Sequence, residues 1–276
     1  MSPFELAEPT SLPEAIALLG IENARPLSGG TALMLMMKAG VLRPARLVSL
    51  RKLRLDEIHA DGELRVGAMA SLRALERSAQ VKAGWPAITR ALRTLSNVRV
   101  RNVATVGGAL AHADPHMDLP PLFTALGARA TIAGPAGERS VPVDALYAGY
   151  LENTLARNEL ITQVTIPAMG KRRAAYLKCT TRSADDWPAV GIAVLIDGDN
   201  VRIVLGAATD WPTRLVAAER VLGGRADDPR ALKEAAEAAA EEAEIEDDLH
   251  GSATYKKQLV RVYLQRTLHE ARRAIH

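Results

Sequence analysis

Cysteine is nearly absent: Cys179 is the only one in 276 residues. No disulfide can form within the chain, and one thiol cannot hold an iron–sulfur cluster or a Cys-rich zinc site. Such usage fits a reducing compartment. Aromatic residues are scarce at 4%, so the core has to be assembled from Ala, Leu, Val and Ile. Long apolar runs are missing too. The longest, TALMLMMKAGVL at Thr31–Leu42, is interrupted by Lys38 and is too short to cross a bilayer. The opening MSPFELAEPT has no basic segment leading into an apolar one. It does not read as a signal peptide, and the expected location is the cytoplasm. Net charge is only +3, and no stripe of lysines and aromatics points to nucleic acid. Neither G-x-G-x-x-G nor G-x-x-x-x-G-K-S/T occurs, so the ordinary nucleotide folds are not indicated.

What remains is the balance of a soluble globular protein, 48% apolar and 24% charged. The length suits one large or two modest domains. SLPEAIALL opens a first helix, with Ser11 and Glu14 at capping-box spacing and Pro13 in the first turn. ARLVSL reads as a buried strand, and ELRVGAM as another after the Asp61–Gly62 turn. SLRALERSAQ and GWPAITRALRTL have helical spacing, ARATIAGPAGERSVPV forms a hairpin about Pro135–Gly137, and ELITQVTIP is a strand that stops at Pro167. MGKRR, Met169–Arg173, reads as a linker. Beyond it AAYLKCTT, AVGIAVLID and NVRIVLGAA read as three strands, the last two joined at Asp197–Asn200. A helix with Pro229 near its start follows, then a final helix whose buried face carries Val260, Leu264, Leu268, Ala271 and Ile275. Strands followed by helices suggest a small α+β second domain.

Two stretches carry the chemistry. SGGTAL at Ser28–Leu33 and TVGGAL at Thr105–Leu110 each set paired glycines between apolar segments. Glycine permits positive φ and close approach of a ligand to the backbone. Successive exposed N–H groups then form a concavity for anions, and two such bends meeting could hold a pyrophosphate. The second bend runs into HADPHMD, where His112, Asp114, His116 and Asp118 alternate. On a strand they would share a face and suggest a metal-dependent hydrolase. Pro115 in their midst disrupts a strand, so a polar loop beside a cofactor is the alternative.

ARPLSGGTALMLMMKAG and RNVATVGGALAHADPHMDLPPLFTALGA resemble the two FAD-binding motifs of the medium, flavoprotein subunit of the xanthine dehydrogenase / carbon monoxide dehydrogenase family, the molybdenum hydroxylases. VPVDALYAGYLENTLARNELITQVTIP is similar to the end of that family's FAD domain, and DDLHGSATYKKQLVRVYLQRTLHEA to the signature of its C-terminal domain. The resemblance implies an α+β protein. Residues 1–168 would form a two-lobed FAD-binding domain of the vanillyl-alcohol oxidase type, with lobes of about 1–58 and 59–168, and 171–276 a small C-terminal domain with a three-stranded antiparallel sheet and helices. It places Leu27, Ser28, Gly29, Gly30, Thr31, Ala32 and Leu33 in the first pyrophosphate motif, and Thr105, Gly107, Gly108 and Ala109 in the second. Ala109 stands where many relatives carry a polar residue, so a side-chain bond is lost there while its backbone N–H stays. Asp118 matches the acidic residue that holds the ribityl hydroxyls, and His112 a nearby polar contact. YLKCTTRSADDWPAV resembles the segment that closes over the flavin ring, with Lys178 placed to stabilise reduced flavin and Trp187 to stack on or shield the ring; Cys179 reads as a buried, inert thiol.

The activity implied is electron transfer within a heteromeric dehydrogenase. A large molybdopterin subunit oxidises the substrate, a small subunit relays electrons through [2Fe–2S] clusters, and FAD in this chain passes them to an external acceptor. A dimer of heterotrimers is the implied assembly. Relatives that reduce aromatic thioesters carry a further iron–sulfur cluster in this subunit; one cysteine cannot support it. A scaffold subunit that has lost its flavin is the remaining alternative.

Overall fold

The structure, a computed structural model, describes residues 2–274. Met1, Ile275 and His276 lie outside the described residues, so the expected last member of the C-terminal helix face is not placed. The chain begins with β1 (Glu5–Ala7), α1 (Leu12–Leu19), β2 (Ala24–Leu27), α2 (Leu33–Lys38) and β3 (Arg46–Ser49). These strands form a small parallel sheet with β3 in the centre. Ser11 caps α1 by accepting from the N–H of Glu14, and the Glu14 carboxylate reaches back to the N–H of Thr10 at 2.9 Å. The reciprocal bond thus falls one residue earlier than in the usual capping box.

A five-stranded antiparallel sheet follows, ordered β4 (Ile58–Asp61), β5 (Glu63–Gly67), β10 (Leu160–Ile166), β6 (Arg129–Gly134) and β7 (Gly137–Pro142). Between β5 and β6 run α3 (Leu72–Arg77), α4 (Ala79–Gly84), α5 (Pro86–Thr94), α6 (Val98–Val103), α7 (Val106–Ala111) and α8 (Leu119–Leu126). The segment expected as one helix over SLRALERSAQ is broken at Ser78, whose side chain caps α4. Between β7 and β10 the short strands β8 (Tyr147–Gly149) and β9 (Glu152–Asn153) pair with each other.

The C-terminal part holds β11 (Arg173–Thr180), β12 (Pro188–Asp197), β13 (Asn200–Gly206) and β14 (Thr213–Arg214), then α9 (Val216–Leu222), α10 (Pro229–Glu242) and α11 (Ala253–Arg273). The sheet is antiparallel and four-stranded. The expected three strands are present; β14 adds a short edge that its Pro-flanked sequence does not advertise. On α11 Val260, Leu264, Leu268 and Ala271 are buried as the spacing requires.

β12 is buried at every position but its last. Ala193 and Leu195 join the core of the five-stranded sheet, while Val190, Ile192 and Val194 pack on the three C-terminal helices. A strand covered on both faces has no polar side to alternate with, hence the unbroken AVGIAVLI. α8 is buried throughout and packs on β12 and β13, so it joins the N-terminal half to the C-terminal half. Met169–Arg173 is not a free linker: Met169 lies in the core, Gly170 turns the chain at φ +52°, and β11 starts at Arg173. α8 also packs on α7 and on β11.

Candidate functional site

The two glycine bends meet. Ser28 Oγ and Thr105 Oγ1 are 2.5 Å apart, and Ser28 Oγ also donates to Met69 Sδ at 3.2 Å. Contact this close needs glycine: a Cβ on Gly29 would collide with the carbonyl of Val103, and one on Gly107 would stand 2.6 Å from the Ala68 Cβ. Gly30, at φ +73°, turns the first bend through backbone space that L side chains rarely adopt.

The bends differ in what they offer. Among the described residues no group accepts from the N–H of Gly29, Gly30, Thr31 or Ala32, all half-buried. Leu33 begins α2 and Leu27 ends β2 beneath them. The second bend is a helix start rather than a positive-φ turn, with Thr105 as N-cap of α7. The N–H of Val106 goes to Ala70 O, that of Gly107 to Ala68 O, that of Gly108 to Thr105 Oγ1 at 3.1 Å, and that of Ala109 to Thr105 O. Among the described residues the row of amides without an acceptor thus lies in the first bend. The capping threonine and the carbonyls of Ala68 and Ala70, just past the end of β5, take up the amides of the second.

Beneath the second bend Arg101 on α6 is buried. Its Nε donates to Glu76 Oε2 at 2.9 Å and Nη1 to the carbonyls of Leu95 and Ser96. Burial alone would raise the Glu76 carboxyl, but bonds from Arg73 and Arg101 bring it below the ordinary carboxylate value.

Asp118 stands immediately before α8 and is buried. The Tyr176 hydroxyl donates to its Oδ1 at 2.6 Å and the Lys178 ammonium to its Oδ2 at 2.9 Å. Tyr176 and Lys178 are two apart on β11 and so share a face. Burial pushes the Asp118 carboxyl up, against the pull of the Lys178 charge; burial, reinforced by the Asp118 charge, pushes the Tyr176 phenol up as well. Tyr176 was not singled out in the sequence. Its period-2 relation to Lys178 was the available signal; in the structure Gly191, paired with Lys178 across the sheet, leaves room for the Tyr176 ring, since a Cβ there would collide with the Tyr176 hydroxyl.

Lys178 also donates to the Asp186 carbonyl at 3.1 Å, tying down the loop that ends at Trp187. Trp187 is not a core tryptophan; it is 47% exposed, with its ring 5.3 Å from that of His116. Cys179 faces away from Lys178 and is only half-buried, its thiol against the Tyr263 hydroxyl on α11, which corrects the expectation of a buried thiol. The HADPHMD residues form a loop, not a strand. Ala113 has φ +56°, and Asp114 Oδ1 accepts from both the N–H and Nδ1 of His116. His112, at the end of α7, points Nε2 to Asp114 Oδ2 at 3.8 Å. Among the described residues no three His, Cys, Asp or Glu side chains converge as metal ligands, so the hydrolase alternative is not favoured.

Residues 2–169 match the family model described as the FAD binding domain in molybdopterin dehydrogenase, and residues 175–271 that of the CO dehydrogenase flavoprotein C-terminal domain. The chain belongs to the FAD-binding medium subunits of the CO dehydrogenase / xanthine dehydrogenase family. It is 32% identical to the carbon monoxide dehydrogenase medium chain of Hydrogenophaga pseudoflava, over 97% of this chain and 96% of that one. It is 28% identical to the glyceraldehyde dehydrogenase medium chain of Sulfolobus acidocaldarius, over 97% and 98%. The solved carbon monoxide dehydrogenase from H. pseudoflava, in a form lacking the Mo-pyranopterin moiety, contains a chain that superposes with a TM-score of 0.93, at 34% identity over 98% of both. The subunit is thus the flavoprotein component of a molybdopterin-dependent dehydrogenase.

The residues present fit FAD. A half-buried row of unpartnered amides is a receptor for a phosphate without any basic side chain, and each N–H bond to a charged oxygen contributes roughly 1.5–3 kcal/mol. The buried Asp118 carboxylate has oxygens that accept from hydroxyl groups, as Oδ1 does from Tyr176. Among the described residues no helix is long and apolar enough to cross a membrane.

Proposed function

We propose that this subunit takes electrons from [2Fe–2S] clusters of a small partner and delivers them through FAD to an external acceptor, while a large molybdopterin partner oxidises the organic substrate. The observation that carries the reading is the row of unpartnered amides at Gly29–Ala32, closed over by the Ser28–Thr105 contact. Bound there, FAD exchanges single electrons on one side and electron pairs on the other. Everything else falls to the chain. Leu27–Leu33 hold the pyrophosphate by backbone. Thr105, Gly107, Gly108 and Ala109 form the wall against which the first bend rests. Asp118, set by Tyr176 and Lys178, accepts from the ribityl hydroxyls, with His112 beside it. Lys178 keeps a positive charge near the ring, shared with Asp118, and Trp187 covers the ring. No side chain here acts as acid or base on the organic substrate.

Medium chains of multi-subunit dehydrogenases are what this chain is similar to, which supports large and small partners. We assign the assembly as a dimer of heterotrimers and the location as the cytoplasm, which the lone cysteine suits. The acceptor is drawn from NAD, a quinone, oxygen or a carrier protein. Co-expression with the genes that neighbour its own tests the division of labour. The expected result is co-purification with one larger and one smaller chain, and bleaching of the flavin by an organic substrate only when all three are present. Turnover of the organic substrate by this chain alone would contradict it.

A further inference from the structure

Three loops converge on the imidazole of His116. Its own loop fixes the ring: Asp114 Oδ1 accepts from the His116 N–H at 2.9 Å and lies 3.2 Å from Nδ1. Since a carboxylate oxygen only accepts, Nδ1 is the donor in that pair. From the connection between α10 and α11, His250 packs at 4.8 Å between ring centroids, and Asp248 Oδ2 lies 3.7 Å from Nε2, beyond hydrogen-bond reach. Nε2 is buried and has no hydrogen-bond partner. From the connection between β11 and β12 comes Trp187, ring to ring at 5.3 Å and tilted by 36°.

Trp187 poses a positioning problem. An indole that is 47% exposed has no core around it to select a rotamer. Its backbone is held, since its N–H donates to Asp186 Oδ1 at 3.0 Å and the Asp186 carbonyl is anchored by Lys178. Its side chain touches one rigid aromatic platform, and that platform is His116, whose side chain is only 11% exposed. Tilted aromatic pairs at this separation are attractive. We propose that His116 is a positioning residue that fixes the indole of Trp187 for its place against the flavin ring. The inference rests on the assignment of Trp187 to the ring made above.

The test uses the full chain labelled with 5-fluorotryptophan, with and without FAD. The chain has three tryptophans, and a Trp187→Phe variant identifies the Trp187 resonance. The proposal expects His116→Ala to move or broaden that resonance alone, in the free protein, and to reduce its shift on addition of FAD. His116→Phe, which keeps an aromatic platform, restores both. If the Trp187 resonance stays in place in His116→Ala, or if all the tryptophan resonances move together, the positioning role is overturned. Should His116→Ala fail to fold, His116→Gln removes the ring while keeping a polar side chain of similar length, and is read by the same criteria. Failure of the underlying reading looks different: FAD then leaves the wild-type Trp187 resonance unmoved, although His116→Ala displaces it in the free protein.

Discussion

Ser28 and Thr105 lie 77 positions apart in the chain and 2.5 Å apart in space. That contact joins a bend whose amides are free to a helix start whose amides are taken. Thr105 Oγ1 also accepts from the N–H of Gly108, so one threonine both caps α7 and latches the first bend. Ser28→Ala removes the latch and leaves the cap. FAD is expected to dissociate faster while thermal stability falls by no more than about 1 kcal/mol. Stopped-flow release of flavin and a denaturation curve on the same preparation give the two numbers.

Gly107 and Gly30 carry different constraints, and valine separates them. At Gly107 a side chain meets Ala68 at 2.6 Å, inside the core. The expected outcome is a loss of stability of roughly 1–3 kcal/mol from overpacking, together with lower flavin content. At Gly30 the barrier is φ +73° and two flexible neighbours, Leu27 and Met34, so the bend changes shape while the fold persists. Flavin content is expected to drop more steeply than melting temperature. Normal flavin content in both variants would count against the site.

Tyr176→Phe strips one donor from a buried carboxylate. An unsatisfied charged acceptor costs about 1–3 kcal/mol, more than an exposed hydrogen bond contributes. Lower stability and weaker FAD retention are expected, measured by urea denaturation and equilibrium dialysis. Lys178→Met is expected to do more harm, because it removes the cation that pairs with the buried Asp118.

The Glu76 carboxylate gives a pH signature. Its value in the folded protein lies below the ordinary 4.5. The stabilisation it contributes is therefore complete above pH 4.5 and disappears as pH falls through the lower folded value. Glu76→Gln, which removes the negative charge facing Arg73 and Arg101, is expected to be less stable than wild type by roughly 1.5–3 kcal/mol at neutral pH. The gap should close in acid. A gap that is constant from neutral pH down to pH 3 would show that the ion pair contributes nothing.

Much of this was legible in the sequence where the cue was local. Ser11 and Pro13 mark α1, the period of Val260, Leu264 and Leu268 marks α11, and the Gly-Gly pairs mark both bends. The nature of the second bend was not, because TVGG serves equally as a turn or as a capped helix start, and the choice depends on the carbonyls of Ala68 and Ala70 from a distant strand end. Tyr176 was overlooked because its partner Asp118 belongs to another part of the chain. The meeting of His116 with Trp187 and His250 was equally hidden, since it arises where three loops close over one another. HADPHMD, with Pro115 in its midst, is a loop as expected: His112 and His116 both face Asp114, while Asp118 turns to Tyr176 and Lys178.

Competition binding to flavin-depleted protein tests the first bend most directly. If the amides of Gly29–Ala32 grip a pyrophosphate, FAD binds and is released intact on denaturation, FMN binds far more weakly, and ADP displaces FAD. Equal affinity for FMN and FAD, with no effect of ADP, would contradict a pyrophosphate cradle at that bend.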